Sequence, residues 1–395
     1  MSRRAIICGG SIGGLFAASA LRRVGWQVDV FERTAVELSG RGAGIVTHDP
    51  LIKALQLVGA SVEDLGVEVT ERVAFDRHGS RVASFDFKQI VTSWDRMHQV
   101  LRAVVPDECH HLGRNVIGYR EEPDRVVAKF DDGNEIEGDM IVGADGFRSA
   151  IRAQMQPDIQ PSYAGYVVWR ALAHEADLPD DVHRAIFDPF SYFIPNGSQI
   201  IGYPIAGPNN DLRPGHRRYN FVWYMRVPTE ELHDMLTDAA GQRHTISIPP
   251  PLVRDEVLAR METDAAHRLP PQFVQVLKVS ERPFFTPIYD HHSPIMGQGR
   301  VALLGDAACV ARPHVGMGVT KAALDAIALA RHVKLNPVST GLMASSAERV
   351  GASLKAYDQA QRLGSLIFDT DETLNKDGRD HPQLEQIMRE TAVVI

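Results

Sequence analysis

Cysteine is scarce in this 395-residue sequence: Cys8, Cys109 and Cys309 stand far apart and form no Cys-x-x-Cys pair. That spacing excludes a disulfide framework and a cysteine-built zinc site, and it suits a reducing, cytoplasmic setting. No apolar run approaches the length of a membrane span. Two arginines sit near the start, but glycines and strand residues stand where a signal peptide would have its apolar region and cleavage site, so no leader is expected. Positive charge is also in deficit. Forty-two Lys and Arg against fifty Asp and Glu leave a net charge of -8, with no basic stripe to meet a nucleic-acid backbone. The sixteen histidines show no His-Glu-x-x-His spacing, so no metal site is expected. His110-His111 and His291-His292 read as surface pairs.

What is present is a soluble-type composition, 44% hydrophobic and 23% charged, in a chain too long for one ordinary core. It opens on an apolar strand that ends in glycines, Ile6-Ile7-Cys8-Gly9-Gly10-Ser11-Ile12-Gly13-Gly14, and runs into a small-residue helix. Glycines there permit a tight turn and a close approach to a pyrophosphate, which sits at the positive end of the helix. Ser11 takes the place of the middle glycine of the usual fingerprint. A second strand, Gln27 to Phe31, is followed by Glu32, about where an acid would hold a ribose hydroxyl.

Glycines return at Gly40-Arg41-Gly42-Ala43-Gly44, a turn at which backbone can approach a flat ligand. A helix is expected near Asp49 to Val58, a hairpin over 73–87, and a helix opened by Asp95 as N-cap. A β-meander follows from Arg114 to Val142. It runs straight into a buried strand, Asp139 to Gly143, that ends in the polar turn Asp145-Gly146, with Ser149 and Arg152 beyond; this is the strand end at which open α/β sheets bind ligands. Aromatic and β-branched runs between 163 and 227 predict one antiparallel sheet. Helices are expected over Thr229 to Ala240 and Leu252 to His267, with a proline breaker between them. Next comes a buried strand, Val301-Ala302-Leu303-Leu304-Gly305-Asp306, then the loop Arg312-Pro313-His314-Val315-Gly316-Met317-Gly318 and a small-residue helix. Pro337 to Ser345 reads as a surface loop, Ser346 to Leu366 as a helix, and the last twenty residues as a polar tail with a helical turn or two.

Three motifs in this order, Gly9-x-Ser11-x-x-Gly14 with Glu32, Gly143-Ala144-Asp145-Gly146, and Gly305-Asp306-Ala307-Ala308 with Pro313 and Gly316-Met317-Gly318, resemble the class A FAD-dependent aromatic monooxygenases of the para-hydroxybenzoate hydroxylase fold. The Tyr163-Ala164-Gly165-Tyr166 run with Trp169-Arg170, the Tyr203-Pro204-Ile205 run and Arg312-Pro313-His314 are most similar to its hydroxypyridine-hydroxylating members. The resemblance implies an α/β fold: a Rossmann-like FAD-binding domain of glutathione reductase type, interleaved with an antiparallel-sheet substrate domain and followed by C-terminal helices. Residues 1–72, 95–160 and 280–335 would form the FAD domain, 73–94 and 161–279 the substrate domain, and 336–395 a helical segment.

By the same resemblance, Ser11 and Gly14 serve the pyrophosphate, Glu32 the adenosine ribose, Arg33 the adenine side and Arg96 a phosphate or ribose. Asp145 belongs to a motif that serves both FAD and NAD(P)H. Asp306 would hold the ribityl chain, and backbone at Gly316, Met317 and Gly318 would face the isoalloxazine. Cys309 and Met317 replace a frequent histidine and glutamine. The implied reaction is hydroxylation of an electron-rich ring, a hydroxypyridine or phenol, by an electrophilic flavin C4a-hydroperoxide, with NADH or NADPH and O2 as co-substrates. His48, Tyr203 and His314 are the candidate catalytic residues; Trp169 and Arg170 read as core and surface positions of one strand. A larger polycyclic or natural-product substrate is the alternative within the family, and a flavin-free NAD-dependent dehydrogenase the alternative outside it. Nucleic-acid and membrane partners are not expected, and a homodimer is left open. The halogenase signature Gly-Trp-x-Trp-x-Ile-Pro is absent.

Overall fold

The computed structural model describes residues 3–38, 44–369 and 382–394. Strand Arg4–Cys8 lies at the centre of a six-stranded sheet, with Gln27–Glu32 and Met140–Gly143 parallel to it on either side. Val301–Leu303 extends the parallel run beyond Met140–Gly143, and Gly297–Gln298 closes that edge antiparallel. Helix Ile12–Arg23 packs on this sheet and against the long helix Gly318–Leu335. Both helices present small buried residues at their contact, Ala17, Ala18 and Ala20 on one and Ala322, Ala323 and Ala326 on the other. Small side chains let the two axes and the sheet come together without voids. At the strand–helix turn the fit is tighter still. A Cβ on Gly14 would stand 1.9 Å from the Gly9 carbonyl oxygen, and one on Gly9 2.3 Å from that of Ala144.

The second sheet has nine strands. Phe284–His292, Ser162–His174, Arg218–Arg226 and Ser198–Ile205 form its antiparallel centre. Val67–Phe75, Arg81–Ser93 and Gly44–Val46 complete the far edge. Trp169 and Trp223 face each other across the central pair and are almost wholly buried against helices Asp255–Arg268 and Pro271–Val279. The opposite face of the same strands packs on Ile367, Phe368, Ile387 and Met388 and lines a cavity against the turn at 313–318.

The α/β class and the two interleaved sheets agree with the sequence reading; several local expectations do not. The predicted meander divides. Val116–Glu121, Val126–Phe130 and Glu135–Gly138 make a separate three-stranded sheet, while Met140–Gly143 leaves it for the parallel one. The helix after the hairpin is capped by Ser93, whose hydroxyl accepts from the Arg96 amide at 3.0 Å, rather than by Asp95. Residues 338–345 are helical, inside Val338–Phe368, although they read as a loop. Packing overrides propensity there: Leu342 is fully buried, and Gly341 fits against the backbone of His332 and Val333. His110 and His291 are buried, not surface residues. His111 stacks on Phe31, and His291 lies 2.9 Å from the Arg152 guanidinium. Among the described residues no helix is long and apolar enough to cross a membrane.

Gly14→Ala would force the opening helix off its strand, an overpacking cost of about 1–3 kcal/mol. Thermal unfolding of the variant should show a melting point lowered by several degrees, and an unchanged one would contradict this account of the turn.

Candidate active site

The C-terminal ends of four of the five parallel strands open into one channel of about 430 Å³. Ser11, Glu32 and Arg33, Asp145, and Gly305-Asp306 all line it, each delivered by a different strand end. This is the side on which open α/β sheets bind their ligands. A second cavity of about 530 Å³ adjoins it, between the nine-stranded sheet and the turn at 313–318. Gly44, Ile45, Arg170, Asp306, Gly318 and Val319 border both. Of the second glycine stretch, residues 40–43 lie outside the described residues.

Ser11 occupies the N-cap of Ile12–Arg23, yet its hydroxyl makes no capping bond. It and the free amides of the first helical turn therefore face the channel as donors, the arrangement that holds a phosphate. Gly14 does not line the channel; its place is the packing contact with Gly9. Glu32 accepts from the Gly10 amide at 2.9 Å and from the amide and hydroxyl of Thr34 at 2.9 and 2.8 Å. Burial pushes its carboxyl up, but those bonds prevail and hold it below its ordinary value, so it stays ionised. Asp145 is spent mainly on the next helix: Ser149 donates to it at 2.6 Å and the Ala150 amide at 2.7 Å.

Asp306 is the open group. Among the described residues its carboxylate has no hydrogen-bond partner, and it stands where the two cavities meet. The peptide before it is clamped on both sides. Lys321 Nζ donates to the Gly305 carbonyl at 2.8 Å, and the Gly305 amide donates to Asp325 at 3.1 Å. Gly316 takes a left-handed conformation (φ +64°), and with Met317 and Gly318 it walls the second cavity.

Arg96 is not brought to the channel. Its guanidinium donates to the Glu63 carbonyl at 2.9 Å and to Gln99 at 3.0 Å. Residues two apart on a helix point about 200° from each other, and the one that faces the channel is Trp94. Helix phase alone would have revealed this.

The three catalytic candidates separate as well. His48 lines neither cavity; its ring nitrogens lie 2.9 Å from the Thr320 hydroxyl and 3.4 Å from the Ala392 carbonyl. It is a buried strut. Tyr203 does line the second cavity, stacked on Phe190 at 4.7 Å between ring centres. A side chain on Gly44 would collide with its hydroxyl. Burial raises the Tyr203 phenol well above its usual range. His314 also reaches the cavity but is fully buried, with Nδ1 3.0 Å from Gln199 Oε1 and Nε2 2.8 Å from the Tyr166 hydroxyl. Gln199 Oε1 accepts, so Nδ1 carries the proton and Nε2 takes the one from Tyr166. Burial, then the Arg312 charge, pushes this imidazole down to about 3. It is neutral, and both its nitrogens are engaged.

Arg170 is the residue that sequence reasoning undervalued. Strand alternation sends Trp169 into the core and Arg170 to the opposite face, where it borders both cavities. Among the described residues no carboxylate pairs with it, whereas the neighbouring Arg312 is held by Asp290 at 2.6 Å.

A family model described as FAD binding domain-like matches residues 163–290. The 2,6-dihydroxypyridine 3-monooxygenase of Paenarthrobacter nicotinovorans is 34% identical over 333 residues, 83% of this chain and 82% of that protein. The chain belongs to the class A FAD-dependent monooxygenases. The aurachin C monooxygenase/isomerase of Stigmatella aurantiaca is 32% identical over 91% of this chain and 88% of its own. The solved structure of 2,6-dihydroxypyridine-3-hydroxylase from Arthrobacter nicotinovorans superposes with a TM-score of 0.88, at 30% identity and 93% coverage of both chains. FAD is accordingly the cofactor of this monooxygenase, and NAD(P)H its electron donor. The channel fits FAD: donors at the helix N-terminus for phosphate, an ionised Glu32 at the second strand end, and an unpartnered Asp306 carboxylate at the mouth of the second cavity.

Asp306→Ala removes an acceptor for the ligand, a charged hydrogen bond that contributes about 1.5–3 kcal/mol, or roughly ten- to hundredfold in affinity. The ratio of flavin to protein absorbance after gel filtration should fall in Asp306→Ala and stay at the parent value in Arg96→Met. The reverse pattern would overturn the assignment of both residues.

Proposed function

We propose that this monooxygenase hydroxylates a small aromatic or N-heteroaromatic ring, a hydroxypyridine or phenol, that binds as its ring-oxygen anion. Bound FAD supplies the activated oxygen, and the chain's own residues bind, orient and keep dry the ring that receives it. The observation that carries the reading is Arg170: of the two arginines that line the cavity beside Phe190, Tyr203 and Tyr224, Arg312 is paired with Asp290, whereas Arg170 has no carboxylate partner among the described residues. A guanidinium there gives directed hydrogen bonds to an oxyanion and favours the electron-rich form of the ring.

With Asp306, the carboxylate at the cavity's border, assigned to FAD, the remaining titratable groups do not support substrate deprotonation near neutrality. His314 is neutral and fully engaged, burial raises Tyr203 and pushes Tyr224 up to about 12, and Arg312 is paired. The ring proton is therefore lost in solution or on entry, and Arg170 selects the anion. Tyr203 orients the ring by stacking, and His314 fixes the wall behind it. Ser11, Glu32, Arg33, Asp145 and Asp306 are assigned to FAD, with the backbone of Gly316, Met317 and Gly318 toward its ring.

We assign 1–72, 95–160 and 280–335 to the cofactor, 73–94 and 161–279 to the substrate, and 336–395 to a C-terminal segment; the six-stranded sheet supports this division, while Gly44–Val46, the start of Val67–Phe75, Phe284–His292 and Cys309–Val310 cross it to join the nine-stranded sheet. A cytoplasmic setting belongs to the same proposal, supported by three cysteines that are all free. Family membership removes the flavin-free dehydrogenase from consideration.

Substrate-stimulated NAD(P)H oxidation should rise with pH through the pKa of the ring hydroxyl offered, and its midpoint should move when a more acidic hydroxypyridine is used. Arg170→Met should raise KM about ten- to hundredfold, the value of one charge-assisted bond, with a smaller effect on kcat. A midpoint fixed across substrates of different acidity would point to an enzyme base and contradict the proposal.

A further inference from the structure

Arg72, which lines neither cavity, is fully buried on strand Val67–Phe75. Among the described residues no carboxylate pairs with it. A buried cation without an anion is costly unless its hydrogen-bonding groups are all met. Here the four N–H bonds of the two Nη groups are met, while Nε has no partner among the described residues, and three of the four acceptors come from one short stretch at the other end of the chain. Nη1 donates to the carbonyls of Met388 at 2.6 Å and Thr391 at 2.7 Å, and Nη2 to that of Ala392 at 3.3 Å and to Gln89 Oε1 at 3.1 Å. The Phe87 ring lies 3.9 Å below the guanidinium. These carbonyls stand at or just beyond the C-terminus of helix Leu384–Glu390, the negative end of its dipole.

The stretch so held is part of the substrate cavity. Thr391 and Ala392 line it beside Tyr203 and His314. The Ala392 amide donates to the His314 carbonyl at 2.9 Å, and the Ala392 carbonyl also accepts from Gln89 Nε2 at 3.0 Å. Ala392 takes a left-handed backbone (φ +56°), unusual for a residue with a Cβ and sustained only by contacts that over-determine it. Gln199 links the two sides, bonding to His314 and donating to Thr391 Oγ1 at 3.4 Å.

We propose that Arg72 is a positioning residue for the oxygen chemistry: it fastens residues 388–392 as the wall that closes the substrate cavity, and the closed wall keeps oxidation of NAD(P)H coupled to hydroxylation. In coupled turnover NAD(P)H, a proton, O2 and the aromatic substrate give NAD(P)+, the hydroxylated ring and water. With the wall loosened and water admitted, NAD(P)H, a proton and O2 give NAD(P)+ and hydrogen peroxide, the same two electrons ending on oxygen without transfer to the ring. The inference rests on family membership and on the position of the wall, not on which ring is hydroxylated.

The test compares flavin-loaded wild type, Arg72→Met, Arg72→Lys, a chain ending at residue 386, and the shortened chain carrying Arg72→Met. The readouts are hydrogen peroxide formed per NAD(P)H and quenching of bound flavin fluorescence by iodide. Arg72→Met and the shortened chain should each raise the peroxide yield severalfold and make the flavin at least twofold more quenchable. Arg72→Lys should recover part of the loss. Because Arg72 acts through the wall, Arg72→Met should add nothing further in the shortened chain. Unchanged peroxide yield and quenching in a flavin-replete Arg72→Met, or additive effects in the double variant, would overturn the proposal. If no hydroxypyridine or phenol stimulates the wild type, the substrate reading fails, while iodide quenching and substrate-free peroxide formation still decide the role of Arg72.

Discussion

The structure depends on one constraint, the shared register of four of the five parallel strands of the first sheet, drawn from distant parts of the chain. Cys8 lies beside Phe31 on one side and Gly143 on the other, and Gly143 lies beside Leu303. Since the strands end level, the turns that follow them end level too. Ser11, Glu32, Asp145 and Asp306 reach a common channel although about three hundred residues separate the first from the last. The small-residue helices Ile12–Arg23 and Gly318–Leu335 make this register affordable, since bulkier faces would hold the sheet and the turns apart.

The nine-stranded sheet contributes the second half of the site by a different logic. Its inner face is apolar and aromatic, and its two informative charges are arginines treated in opposite ways. Both Nη groups of Arg72 are spent on carbonyl oxygens, three of them from the backbone of 388–392. Arg170 is left without a carboxylate at the junction of the two cavities. A cation with its acceptors supplied is structure; one with its acceptor missing waits for a ligand.

The glycine and acid motifs were legible in the sequence because their chemistry is local: a strand end, a turn and a helix start within a dozen residues of one another. Reading fell short where a role depends on direction or on distant contact. Arg96 and Trp94 exchange places because helix phase, not residue charge, decides which faces the channel. His48 follows a flexible stretch and looks catalytic, yet Thr320 and Ala392, hundreds of residues away, consume both its nitrogens. Arg170 reads as a surface residue beside Trp169 since an alternating strand places every second residue outside, and only the fold shows that this outside borders a cavity. The wall at Thr391 and Ala392 carries no local signal at all. Likewise the 338–345 stretch becomes helical through the burial of Leu342, a tertiary effect that propensity does not contain.

The central claim, that the chain inserts one atom of molecular oxygen into an anionic hydroxylated ring, is tested most directly by mass spectrometry of the product formed under 18O2 with NAD(P)H. The account predicts a product that gains a single oxygen, carries the 18O label, and forms in proportion to the NAD(P)H consumed. Unlabelled product, or NAD(P)H consumption that yields only hydrogen peroxide with every hydroxypyridine and phenol offered, would contradict it.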